Sequence, residues 1–294
     1  MKNMAMTSYK FAIFILSYGR PNNVVTYENL RRCGYTGKIY IICSDDDRKL
    51  DDYKSIYKDQ VIIFSKNDYR NSFDIGDNFC NDKVVVFARN ANFDIAKKLG
   101  LDYFMQLDDD YQIFAYKIPT QTILLERRIK NLDRIIEYFI EYYKSINVKS
   151  LAFAQGGDFI GGKDNKIYEK IFNVRKVMNC YINKTDNPYQ FYGRINEDTN
   201  CYVNNGMRGD LFITCPMISI VQKQTQSNTG GLTEFYLNTG TYVKSFYTVL
   251  FNPSAVKIRA MGAKYYRLHH HVSWNNAVPK IINSKYKKYV ETLF

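Results

Sequence analysis

Apolar and polar positions along this chain follow two rhythms. Lys10–Ser17, Lys38–Cys43, Gln60–Phe64 and Tyr103–Leu107 are short apolar runs of strand length, separated by segments whose apolar residues recur at helical spacing. Val24–Cys33 reads as one such helix, closed by Gly34. Another opens at Ala88, Arg89, Asn90 and Ala91, keeps Ala91, Ile95, Ala96 and Leu99 on one side, and stops at Gly100. The apolar run Val84–Phe87 before it reads as a further strand. Strands alternating with helices predict a mostly parallel sheet and an α/β fold. From Leu124 to Ser145, apolar residues at Leu125, Ile129, Leu132, Ile136 and Phe139 predict a long amphipathic helix packed on that sheet.

Beyond Ser150 the texture changes to Gly-rich turns and shorter strands, in LAFAQGGDFIGG, FITCPMISIVQ and SAVKIRAMG. The chain is therefore expected to divide softly near residue 150, into halves 1–150 and 151–294. No repeat or flexible linker separates them, so one compact unit with a shared core is expected.

Charge adds a partner class. The 294 residues carry 41 Lys plus Arg against 29 Asp plus Glu, a net +12, with 26 Tyr and one Trp. Such an excess concentrates polyanions, nucleic acid or anionic lipid. Cys33, Cys43, Cys80, Cys180, Cys201 and Cys215 form no CxxC pair and read as reduced core residues of a cytoplasmic protein. Phe11–Leu16 is too short for a signal core or a membrane span, so the acceptor is expected inside the cell.

The candidate chemistry begins where the strand Tyr103–Leu107 runs into Asp108, Asp109 and Asp110. The carboxyl edge of a sheet is where α/β proteins hold ligands. Alternate residues of an extended segment point the same way, so Asp108 and Asp110 share a face and Asp109 turns aside. Two converging carboxylates call for a proton or a cation, and a hard divalent ion bridging phosphate oxygens satisfies both. The alternative is a solvated acidic turn. A second acidic pair, Glu197 and Asp198, follows the aromatic approach Tyr189, Phe191, Tyr192 and Gly193. It suits a base that accepts a hydroxyl proton, or the positive end of a helix. His269, His270 and His271 hold all the histidines.

The order strand, ARNA helix, GLDYFMQLDDD resembles the nucleotide-sugar half of GT-A-type glycosyltransferases. SYGRP, LDDDY, GRINEDTN and HHHVSW together resemble the TET-associated glycosyltransferases, phage-type enzymes that act on hydroxymethylated pyrimidines in DNA. The resemblance implies a GT-A-like, Rossmann-type nucleotide-sugar sheet with an acceptor-side second half, a Mn²⁺ or Mg²⁺ ion and a UDP-sugar donor. It implies a host-cell cytoplasmic, DNA-directed transferase, inverting, with no membrane partner.

The same resemblance implies roles. Asp110 would bind the ion, and Asp108 the ribose or a metal-bound water. Ser17, Tyr18, Gly19 and Arg20 would approach the nucleotide, with Arg89 and Asp109 beside it. Asp45 or Asp46 would hold the uracil or ribose. Asp198, or Glu197 in its stead, would be the base, and His271, or else His269, a further metal ligand. Asn90 is alternatively a helix cap, with Arg89 in an ion pair. Gln222–Gly231 and Lys244–Tyr247 offer amides, a cation and aromatics for an acceptor groove. A polysaccharide or protein acceptor, a nucleotidyltransferase and a non-catalytic DNA-binding module remain as rival functions.

Overall fold

The computed structural model describes residues 9–159, 176–222, 235, 243–261 and 266–277. Four strands, β1 (Phe11–Leu16), β2 (Lys38–Ser44), β3 (Val61–Phe64) and β4 (Tyr103–Asp108), pair in parallel in the order β3-β2-β1-β4. The sheet continues through β8 (Cys180–Lys184), β7 (Ser150–Gln155), β9 (Phe212–Gln222), β5 (Tyr111–Pro119) and β6 (Leu124–Arg128). β8 runs antiparallel to β4 and β7, whereas β7 and β9 are parallel. The result is a mixed nine-stranded sheet whose parallel half is the N-terminal one. It runs across residue 150 without interruption.

Strand alternation builds two cores. Ile13, Ile15, Met105 and Leu107 point to one face, where α1 (Val25–Arg32) and α4 (Leu132–Ser145) cover them with Leu30, Leu132, Ile136 and Ile140. Ala12, Phe14, Leu16 and Phe104 point to the other, under α3 (Val86–Lys98) and α5 (Glu197–Met207). Central strands buried on both faces read as continuous apolar runs, which is why β1, β2 and β4 were visible in sequence.

Four expectations need correction. Leu124–Ser145 is a strand followed by a helix: β6 pairs with β5, and Asn131 caps α4 by accepting from Arg134 N at 3.2 Å. Leu125 and Ile129 satisfy helical spacing and strand spacing alike, so the pattern concealed the break. Val84–Phe87 forms no strand, because α3 begins at Val86. Asn90 lies inside α3 and caps nothing; its amide instead accepts from Phe191 N at 2.9 Å and donates to Phe191 O at 3.1 Å. Among the cysteines, all free, Cys80 is exposed while the other five are buried. The sequence also concealed α2 (Leu50–Tyr57), whose Tyr53 and Tyr57 complete the first core. No helix among the described residues is long and apolar enough to cross a membrane.

Candidate active site

β1 and β4 lie side by side, with Leu16 opposite Asp108. β2 extends the sheet on one side of β1 and β4 on the other, so the crevice between their carboxyl ends is a topological switch point. The acidic triplet opens there, and alternation divides it. Asp109 joins the face of Leu107: it is 1 % exposed, accepts from Ser17 Oγ at 2.6 Å and pairs with Arg20 at 3.0 Å. Ser17 donates its single proton to Asp109, so the Tyr53 hydroxyl, 2.6 Å away, donates to Ser17 and accepts from Arg20 N at 2.9 Å. Burial, against Arg20 and Ser17, pushes Asp109 up to about 6. Asp109 thus anchors the SYGRP loop. Thr26, on α1, ties the turn from below by donating to Asp108 O at 2.6 Å and accepting from Tyr111 N at 2.9 Å.

Asp108 faces α3. Its carboxylate accepts from Arg89 Nη2 at 2.7 Å, and Arg89 Nε donates to Glu197 Oε1 at 3.3 Å. Arg89 is fully buried, with the Tyr181 ring centroid 5.1 Å away. One guanidinium therefore joins the triplet to the second acidic pair, 108 residues further along the chain from Arg89. It serves more carboxylates than it can neutralise. Burial first, then the neighbouring Asp198, pushes Glu197 up to about 7, and burial raises Asp198 as well. Asp198 Oδ1 accepts from Thr199 N at 2.7 Å and takes no bond from Arg89.

The late motifs meet at the head of α5. Asn196, in the left-handed region at φ 56°, donates to Lys244 O at 2.8 Å and to Thr248 Oγ1 at 3.0 Å on the helix Val243–Phe251. Its Nδ2 lies 3.3 Å from His270 Nδ1. Burial, His269 and Lys244 hold His270 down at about 4, so its ring is neutral. His269 is half-buried and stacks on His270 with centroids 4.3 Å apart, while His271 is exposed. Trp274 stacks on Tyr202 of α5. Arg194 is the other residue of this stretch that the sequence did not single out. Its guanidinium grips Asp77 through two bonds of 2.7 and 2.9 Å and donates to Phe79 O at 2.8 Å. Gly193 has no room for a side chain: at φ 84°, a Cβ would sit 2.5 Å from Asn200 Nδ2.

Asp45 and Asp46 are exposed at the end of β2. Asp45 accepts from Ser65 Oγ at 2.6 Å, and Asp46 from Lys66 Nζ at 2.8 Å and Ser44 Oγ at 2.5 Å. Burial pulls Asp46 upward, but the Lys66 and Ser44 bonds outweigh it and hold the carboxyl below its usual value. Lys66 Nζ stands 4.9 Å from the centre of the Tyr18 ring. Asp47, which the sequence left unassigned, accepts from Gly19 N at 2.7 Å and shapes the SYGRP loop. Lys244–Tyr247 lies on the helix that clamps Asn196, and Gln222 ends β9; residues 223–231 lie outside the described residues.

The residues at the β4 edge fit a divalent ion. Burial, then Asp108 and Asp109, pushes Asp110 up to about 7, a negative excess that a hard cation with oxygen ligands would relieve. Among the described residues no three His, Cys, Asp or Glu converge as a ready-made metal cluster.

A parallel nucleotide-type half sheet with an acidic switch-point edge, continued by a mixed second half, defines a GT-A-type α/β fold. The chain belongs to the TET-Associated Glycosyltransferase family, whose profile matches residues 11–231. It is a glycosyltransferase. No curated protein matches it in sequence. Glucosyl-3-phosphoglycerate synthase from Mycobacterium tuberculosis, solved with Mg²⁺ and UDP, is similar at 6 % identity and TM-score 0.46, over 90 % of this chain and 88 % of that one. The mannosyltransferase PcManGT from Pyrobaculum calidifontis, solved with GDP-Man and Mn²⁺, is similar at 9 % identity and TM-score 0.47, over 83 % and 63 %. TarS from S. aureus is similar at 13 % identity and TM-score 0.45, over 78 % of this chain and 38 % of that one.

Proposed function

We propose that this glycosyltransferase moves a sugar from a nucleotide-sugar donor, UDP-linked, to the hydroxyl of 5-hydroxymethylpyrimidine in DNA, with inversion. The observation that carries this reading is the buried Arg89, which joins Asp108 at the donor edge to Glu197 at the head of α5. The carboxylates assigned to donor and base are thereby linked through one guanidinium.

Asp110 and Asp108 would hold Mn²⁺ or Mg²⁺, which when bound supplies Lewis-acid stabilisation to the departing diphosphate. Ser17 to Arg20 frame the nucleotide, with Asp109 as the anchor of that loop, and Asp45 or Asp46 offers an acceptor to ribose or base. Asp198, free of the Arg89 bond, is the base. It takes the proton of the acceptor hydroxyl while that oxygen attacks the anomeric carbon, and the bond from that carbon to the diphosphate oxygen breaks as nucleoside diphosphate leaves. One displacement inverts the centre, through the oxocarbenium-like charge also met in glycoside hydrolysis. The net +12 favours a polyanionic acceptor.

The test is incubation with UDP-glucose, UDP-N-acetylglucosamine and UDP-pentoses, Mn²⁺ and hydroxymethylated DNA, read by nucleoside mass spectrometry. A hexose, N-acetylhexosamine or pentose mass gain on the hydroxymethyl nucleoside is expected, and its loss in Asp198→Asn. Absence of any gain, with sugar transfer to a glycan or protein instead, would overturn the DNA reading.

A further inference from the structure

The charge of the chain is unevenly distributed. From Phe235 to Val290 the sequence carries nine Lys or Arg and no Asp or Glu, so this run supplies most of the +12. Within it, β10 (Val256–Met261) and β11 (Arg267–Val272) form a separate two-stranded antiparallel ribbon. Directly opposed residues of such a ribbon share a face. Val256 faces Val272 and Ile258 faces His270; Lys257 faces His271 and Arg259 faces His269.

The first set is the inner face. Val256 is buried, Val272 packs on the second core, and His270 reaches Asn196. The outer face presents Lys257, Arg259, Met261 and His271, all exposed. Towards Met261 and Tyr266 even the inner set emerges, because Ala260 and Leu268 are exposed and Tyr266 is 79 % exposed. Among the described residues the ribbon is therefore buried on its inner face at one end and exposed in its side chains at the other. Its seat is the helix Val243–Phe251, whose Ser245 Oγ donates to Leu268 O at 3.0 Å, beside the head of α5, where His270 meets Asn196; Trp274, just beyond β11, stacks on Tyr202 further along α5.

We propose that β10–β11 is the DNA-docking element of this enzyme, entering the major groove with Lys257 and Arg259 against the phosphates. The major groove, about 12 Å wide, admits a two-stranded ribbon, and 5-substituents of pyrimidines project into it. A narrow, acid-free, projecting ribbon matches a groove better than a flat anionic lipid surface. Its seat on the helix Val243–Phe251, beside the head of α5, carries the groove that displays the hydroxymethyl group towards Asp198. The proposal rests on the DNA-acceptor reading above.

Binding of a short labelled hydroxymethylcytosine duplex is measured against NaCl for wild type, for Lys257→Ala/Arg259→Ala, and for the control Lys97→Ala/Lys98→Ala on the last turn of α3. Losing two phosphate contacts is expected to make the log K versus log salt slope shallower by about two and to weaken binding roughly tenfold near 0.15 M salt. The control should keep the wild-type slope, and all three should melt together; a Gln/Gln pair at 257 and 259 replaces the alanines if they melt early. Equal loss in ribbon variant and control would mean a general field and overturn the proposal. So would loss of binding to phosphatidylserine vesicles with duplex binding intact. Wild type that glycosylates DNA, with an unchanged slope in the ribbon variant, overturns the ribbon alone. Wild type that neither binds nor modifies DNA overturns the acceptor reading and the ribbon with it.

Discussion

Arg89 is the residue on which the site turns, since its planar fork satisfies Asp108 and Glu197 at once from a fully buried position. A lysine carries the charge but not the fork. Arg89→Lys is therefore expected to lower kcat by about 100-fold through misplacement of the acidic groups, with a smaller change in donor KM. Steady-state kinetics at saturating donor check it. Glu197 carries a pH signature. Its folded pKa, raised by burial and Asp198 to about 7, lies above the usual carboxylate value, so its stabilising effect is full at low pH and is lost as pH rises towards 7. Glu197→Gln cannot ionise and escapes that loss. Its melting temperature should match wild type near pH 4 and exceed it near pH 8 in metal-free protein; a constant gap across this range would refute the assignment.

At the scale of elements, the GRINED stretch is a junction between pieces far apart in sequence. Arg194 grips Asp77, which also accepts from the Tyr247 hydroxyl at 2.5 Å, so the polar segment before α3, α5 and the helix Val243–Phe251 are fastened together. Breaking a buried pair costs about 3–5 kcal/mol because the partner charge is stranded. Arg194→Ala should lose stability of that order and make the Asp74–Asp82 segment cleave first in limited proteolysis. Helical periodicity alone did not separate β6 from α4, since Ile129 and Leu132 are buried in the first core whichever element carries them. The Asn131 cap was the local signal that marks the boundary.

For the whole molecule, the acidic edge predicts a metal dependence that can be read without turnover. Mn²⁺ with UDP is expected to raise the melting temperature, by about 2.7 kcal/mol of stabilisation at a hundred times Kd, with a chelator abolishing the gain. Asp110→Asn should show little or none of it. The sequence by itself determined the parallel strands, the helices α1 and α3 over them, the acidic edge at Asp108–Asp110 and the family, because continuous apolar runs and contiguous motifs are local signals. Only the tertiary structure decided that Asp109 serves Ser17 and Arg20 while Asp108 serves Arg89, and that His270 meets Asn196 at the head of α5. Those outcomes depend on which faces of β1, β4 and α5 meet across long stretches of chain. Spacing within one segment carries no record of a partner that packing alone brings near.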